Sequence, residues 1–264
     1  MREPEARDPM SDQQSGPAED AATPAADDES GITRAGEVML GGRLKASDTS
    51  DLTPRREELR ALADATRLLI DRLVATDAPS EVIAAATADV QAAADRFDGY
   101  HQGSIYSFAE SANAGGRDEA LYDHSPLIGI ANALAPPIEM SVEDGIVSGL
   151  VTFGSAYEGP PGCVHGGYVA AAFDELLGLA QSLSGSPGMT GTLSVRYESP
   201  TPLHTPLRLT GRLVGVERRK IFTEGEIHAG HTLTARAEGT FISLRPGAFL
   251  GMLVDRQTRR GHDA

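Results

Sequence analysis

The 264-residue chain has one cysteine, Cys163, so no disulfide can form within it. That usage fits a reducing compartment. Positive charge is also scarce: 23 Lys and Arg stand against 38 Asp and Glu, a formal net charge of −15. Such a surface repels phosphate backbones and anionic headgroups, so nucleic acid and acidic membranes are not expected partners. No apolar run is long enough to span a bilayer, and the first residues lack the basic-then-apolar order of a secretory signal. The expectation is a soluble cytoplasmic protein in which any anionic ligand is met by a local basic cluster.

What is present changes character along the chain. Residues 1–50 are mostly Asp, Glu, Ala, Pro, Ser and Gly. They cannot bury enough apolar surface to offset chain entropy and read as a disordered acidic tail. Residues 51–98 read as a helical hairpin extension. Thr53-Pro54 is an N-cap followed by a proline suited to the first helical position. Leu59, Leu62, Ala63, Leu69, Ile70 and Leu73 then line one face. A second helix restarts at Pro79-Ser80-Glu81, with a stripe of Val82, Ala85, Ala86, Val90, Ala93 and Phe97 that suggests close packing. Residues 99–137 mix glycine, proline and short apolar runs, as a lid or connecting segment does.

From Ile138 the period becomes two, and residues 138–246 form the next unit. "IEMSVEDGIVSGLVTFG" reads as a hairpin turning at Asp144-Gly145. A helix falls within 160–184. "TLSVRYESP", "PLRLTGRLVGV", "IFTEGEIHA" and "HTLTARAEGTFISL" are further strands, with a turn at Ala229-Gly230. Two strands, a helix and four strands make an α+β pattern. One helix against an antiparallel sheet of that size is wrapped by it, and must be apolar nearly all round. Residues 247–264 read as a flexible C-terminal tail.

The helix opens on His165-Gly166-Gly167 and carries Asp174-Glu175 in its middle, an odd choice for a packing helix. The first turn of a helix has amide N–H groups without intrahelical partners, at the positive end of the macrodipole. Glycine lets a ligand approach them closely. That combination makes an oxyanion hole, donors aimed where charge develops on a carbonyl oxygen. A carboxylate is then needed to attack the carbonyl or to activate water. Asp174 is nine positions beyond His165, roughly 13 Å along a helix axis. It therefore suits the helix start of an antiparallel neighbour better than its own, which asks for a dimer with shared sites.

"HGGYVAAAFD" resembles hotdog-fold acyl-CoA thioesterases of the phenylacetyl-CoA-thioesterase-like branch, which carry His-Gly-Gly, a small or apolar run and Asp in this position between strands. "GMTGTLSVRYESPTPL" is similar to the same branch in its Met-Thr before the strand, its late aromatic and its Pro-x-Pro-Leu. "ANALAPPIEM" is similar to the lead-in to the first strand. The likeness covers about 138–245. It implies a hotdog fold, an antiparallel sheet wrapped around one central helix, here with an N-terminal helical extension. It also implies hydrolysis of an acyl-CoA thioester to a carboxylic acid and free coenzyme A, with no metal or redox cofactor. Gly166 then supplies an N–H to the thioester oxygen, and His165 positions that oxygen or the loop. Asp174 reaches across a homodimer as nucleophile or general base, and Thr190 orients the water or assists Asp174. Pairing of dimers into tetramers stays open. An Asn or Gln that many relatives carry before the His is missing from "AYEGPPGCV".

Gly167 and Glu175 join the substrate-binding candidates, although a structural hydrogen bond at the helix pair is the plainer role for Glu175. Arg218-Arg219-Lys220 stands out in an acidic chain and could grip coenzyme A phosphates; the plain alternative is a solvated turn. Arg245 is a weaker candidate. Cys163 reads as a small hydrophobe rather than a nucleophile. The remaining histidines show no metal-ligand spacing, so no metal is assigned. The alternative reading is a non-catalytic acyl-CoA sensor or scaffold on the same fold. The presence of both Asp174 and Gly166 argues against it.

Overall fold

The structure is a computed structural model and describes residues 53–100, 123–186 and 188–244. The tails at 1–50 and 247–264, much of the 99–137 segment, and Arg245 lie outside the described residues. Two helices come first, α1 (Pro54–Val74) and α2 (Ser80–Asp95). A hairpin of β1 (Glu139–Glu143) and β2 (Ile146–Val151) follows, then a 3₁₀ turn at Ser155–Tyr157 and helix α3 (Gly166–Ser182). Strands β3 (Gly188–Tyr197), β4 (Leu207–Glu217), β5 (Lys220–Ala229) and β6 (Thr232–Ser243) complete the chain. They form one six-stranded antiparallel sheet in the order β1-β2-β4-β5-β6-β3. Among the described residues no helix is long and apolar enough to cross a membrane.

Turn chemistry sets the sheet. Asp144 and Gly145 both take positive φ (49° and 76°) and join Glu143 to Ile146. This is the conformation that a two-residue hairpin loop needs and that Asp-Gly supplies. The β5–β6 turn centres on Gly230-His231 between the paired Ala229 and Thr232, one residue later than the sequence suggested.

Strand β3 crosses to the far edge of the sheet, so α3 lies across the inner face between β2 and β3. Val147, Leu207, Leu209, Ile221, Ile227, Ala235 and Phe241 point inward and are buried against Phe173, Leu176, Leu177 and Leu179. The seat is made possible by glycine. Gly211 and Gly225 are cross-strand partners beneath the helix. A Cβ on Gly225 would stand 3.1 Å from both the Leu176 and Leu177 side chains and 2.8 Å from the Thr210 carbonyl. Missing side chains in the strands thus let the leucines of α3 sink into the sheet.

The apolar face of α1 is only partly covered: Ala63 is buried and Leu59 and Ile70 half-buried, but Leu62, Leu69 and Leu73 are exposed, whereas Arg56 and Arg60 are buried. Arg56 instead makes a two-pronged ion pair with the buried Asp123, at 2.9 and 3.1 Å, and Arg60 joins it at 3.3 Å. A planar guanidinium matches a carboxylate in this way, so polar geometry, not apolar area, fixes α1 to the domain. Helix α2 buries none of its residues against the described residues.

Leu176 fills the glycine seat and is fully buried. Leu176→Ala should lower unfolding free energy by about 2–5 kcal/mol, as buried Leu→Ala changes do; urea melts of the two proteins check this.

Candidate active site

His165 is the N-cap of α3. Its carbonyl accepts the Tyr168 and Val169 N–H groups at 2.9 and 3.3 Å. Its ring Nδ1 accepts the Gly167 N–H at 3.0 Å. Because Nδ1 is an acceptor, the neutral ring carries its proton on Nε2. One of the two glycine amides is thereby used inside the protein. Among the described residues the Gly166 N–H has no hydrogen-bond partner. It is a bare donor at the positive end of a helix.

A residue without a role in the sequence argument completes this turn. Tyr197, the last residue of β3, donates its hydroxyl to the Gly166 carbonyl at 2.8 Å. The peptide joining Gly166 to Gly167 is therefore held at both ends, its N–H by His165 and its C=O by Tyr197. A Cβ on Gly166 would stand 3.3 Å from the Tyr197 hydroxyl. The sequence carries a signal, the aromatic late in "TLSVRYESP", but only tertiary pairing shows what it touches.

Asp174 lies eight residues beyond Gly166, about 12 Å along α3. It accepts a hydrogen bond from the Thr190 hydroxyl at 2.8 Å, so the structure joins two of the predicted residues directly. It does not join Asp174 to Gly166 within one chain. Thr190 stands near the start of β3 and Tyr197 at its end, so the two halves of the site sit at opposite ends of the same strand. The expectation of a helix apolar nearly all round is corrected. Asp174 is exposed, on a stripe of α3 shared with Gly167 and Tyr168. That stripe runs beside β3, whose outer edge has no strand partner among the described residues.

The remaining candidates separate. Glu175 turns the other way, half-buried, and accepts from the Ser125 hydroxyl at 3.5 Å in the lead-in to β1. Arg218, Arg219 and Lys220 form the exposed β4–β5 turn, with Arg218 at φ 54°. Arg219 is spent on its own chain, donating through Nε and Nη2 to the Ser243 carbonyl at 3.2 and 3.0 Å. Lys220 pairs with Ile242, which pairs with Met189. The turn thus shares the Thr190 end of the sheet, two strands or roughly 10 Å from β3. Cys163 donates its thiol to the Pro161 carbonyl at 3.6 Å, and not to His165. Among the described residues no group of His, Cys, Asp and Glu is gathered to hold a metal ion.

The structure thus sets, on one helix, an N-terminal glycine amide without a partner among the described residues and, about 12 Å further along, an aspartate supported by a hydroxyl. Comparison with known proteins identifies the family. The thioesterase superfamily profile matches residues 161–235. A solved crystal structure of a thioesterase superfamily protein is 35% identical, covers 70% of this chain and 94% of that one, and superposes with a TM-score of 0.61. The chain belongs to the thioesterase superfamily. Among curated relatives, acyl-coenzyme A thioesterase THEM4 of Xenopus laevis is 35% identical over 95 residues, 35% of this chain and 43% of that one. Acyl-coenzyme A thioesterase THEM5 of Homo sapiens is 31% identical over 94 residues, 35% of this chain and 38% of that one. The chain thus matches less than half the length of these curated relatives.

The capping bond makes a prediction about His165 alone. In long-range ¹⁵N–¹H spectra of the neutral ring, Nδ1 should show the shift of an unprotonated nitrogen and Nε2 that of a protonated one. The reverse pattern would mean that the ring does not cap Gly167.

Proposed function

We propose that this thioesterase-superfamily protein hydrolyses acyl-CoA thioesters, as a homodimer whose two sites are each built from both subunits. The observation that carries the reading is the turn at His165, where the 166–167 peptide is clamped at both ends and the neighbouring Gly166 N–H has no partner among the described residues. A thioester oxygen that gains negative charge in the tetrahedral intermediate is stabilised there. Asp174 of the other subunit stands opposite. As general base it takes a proton from water, whose oxygen bonds to the thioester carbon; the C–S bond then breaks and the coenzyme A sulfur takes the proton. As nucleophile it forms a mixed anhydride first, releasing the thiol, and water then cleaves the anhydride. Both routes consume one water and yield a carboxylic acid and free coenzyme A. Thr190 holds one oxygen of Asp174 and so points the other at its target.

The open edge of β3 supports the shared site. An unpaired strand edge is a ready template for another strand. A two-fold partner laid along it would set a second α3 antiparallel to the first. Asp174 of one helix would then lie beside the His165-Gly166-Gly167 turn of the other, closing the gap of about 12 Å that one chain leaves open. Arg218 and Lys220 would meet coenzyme A phosphates, with Arg219 holding their turn in shape. The reading calls for no cofactor beyond the coenzyme A carried by the substrate, and the single cysteine supports a cytoplasmic setting.

The test is release of free thiol from a panel running from acetyl-CoA to palmitoyl-CoA with aromatic esters included. Asp174→Asn should lower kcat at least about 100-fold with the dimer intact by light scattering, the scale of a lost general base. Tyr197→Phe should lower it about fivefold, the worth of one hydrogen bond. Saturable binding without turnover of any ester by the unaltered protein would replace this reading with that of a sensor.

The basic turn has its own signature. Arg218→Ala with Lys220→Ala should raise KM and leave kcat within about twofold, since phosphates bind equally in ground and transition states. Unchanged KM for the double variant at low salt would leave the cluster as a solvated turn.

A further inference from the structure

His165 is held from behind. Its backbone N–H donates to the Tyr157 carbonyl at 2.8 Å. Tyr157 also packs edge-on against Tyr168 of the first turn of α3, with ring centroids 4.8 Å apart, and against Phe153 at 5.4 Å. Its hydroxyl donates to the Leu134 carbonyl at 3.0 Å. Burial, with the Tyr168 hydroxyl close by, pushes the Tyr157 hydroxyl up to about 12, so it stays a proton donor across the neutral range.

Both supports of Tyr157 are gripped by α1. Asp71 Oδ1 accepts the Ser155 N–H at 2.6 Å, the first amide of the 3₁₀ turn that carries Tyr157. A carboxylate there caps the turn as it would a helix. The fit is close enough that a Cβ on Gly154 would stand 2.5 Å from the same oxygen. One turn back on α1, Arg67 donates to the carbonyls of Ala135 (3.0 Å), Asn132 (3.3 Å) and Ile130. Those carbonyls belong to the loop that presents the Leu134 oxygen to Tyr157.

We propose that α1 is a brace for the oxyanion turn: Asp71 and Arg67 are positioning residues that act through Tyr157 on His165 and hence on the Gly166 N–H. This assigns a role in the site to the N-terminal extension, and its catalytic consequence rests on the proposed thioesterase reading. The brace explains why α1 docks through charged side chains. Arginine and aspartate bind backbone carbonyls and amides at fixed angles, and so pass on orientation, which a greasy contact does not.

The experiment uses the full chain with Asp71→Ala, Asp71→Asn, and Asp89→Ala on α2 as a control of equal charge. Two readouts are taken: acyl-CoA turnover, and hydrogen exchange at the His165 amide. The brace predicts that Asp71→Ala lowers kcat about tenfold, the scale of a lost charge-assisted hydrogen bond, with KM within about twofold. It predicts faster exchange at His165. Asp71→Asn, whose amide oxygen still accepts the Ser155 N–H, should recover most of both, and Asp89→Ala should change neither. Unaltered exchange at His165 in Asp71→Ala overturns the brace. So does a fall in Asp71→Asn as deep as in Asp71→Ala, which is a field effect of charge and not a positioned bond. If the unaltered protein turns over no thioester, the activity reading fails, and exchange at His165 alone decides the brace.

Discussion

Helix α3 lies close against the sheet because the strands directly beneath it carry glycine at 211 and 225, where Leu176 and Leu177 descend. Depth of seating matters more here than area buried. It fixes the height and rotation of α3, so the helix can be read twice by one strand. At the helix start, Tyr197 of β3 takes the Gly166 carbonyl; at its middle, Thr190 of β3 holds Asp174. A side chain at either glycine would lift the helix, and both contacts would lengthen together.

The chemistry of the turn follows from hydrogen-bond counting at a helix start. A helix leaves its first amides without internal partners. Here His165 takes one of the glycine amides, its carbonyl takes those of Tyr168 and Val169, and the Gly166 N–H has no partner among the described residues. The peptide that follows this donor is clamped at both ends, by His165 and by Tyr197, so the turn that carries the donor is fixed in shape. Asp174 stays exposed beside the open edge of β3. A carboxylate left solvated on a mostly apolar helix is consistent with a site completed by another subunit, since burial without a partner would disfavour its charge.

The extension at the N-terminus obeys a different rule from the domain it touches. The domain closes on apolar side chains, whereas α1 closes on Arg56, Arg60, Arg67 and Asp71, with Leu62, Leu68, Leu69 and Leu73 exposed. The surface α1 meets is loop, and loops present carbonyls and amides more than methyl groups. Arginine is suited to such a surface because its planar fork of donors meets several carbonyls at once.

Sequence alone determined the elements and the local positions on which the proposed chemistry rests. Turn residues such as Asp144-Gly145, the Thr53-Pro54 cap and the alternation of β4 to β6 act through neighbours in the chain, so they are legible without tertiary structure. The His165-Gly166-Gly167 start and the Thr190 and Asp174 positions were legible for the same reason, since a helix start and a motif are local. Tertiary structure alone decided which face of α1 docks, because a leucine stripe and an arginine stripe lie on one helix and only the surface opposite chooses between them. It also decided that Arg219 is spent on Ser243, that Glu175 faces Ser125, and that Tyr157 and Tyr197 serve the turn at Gly166. Each of these contacts joins residues that folding, and not spacing, brings within hydrogen-bond reach.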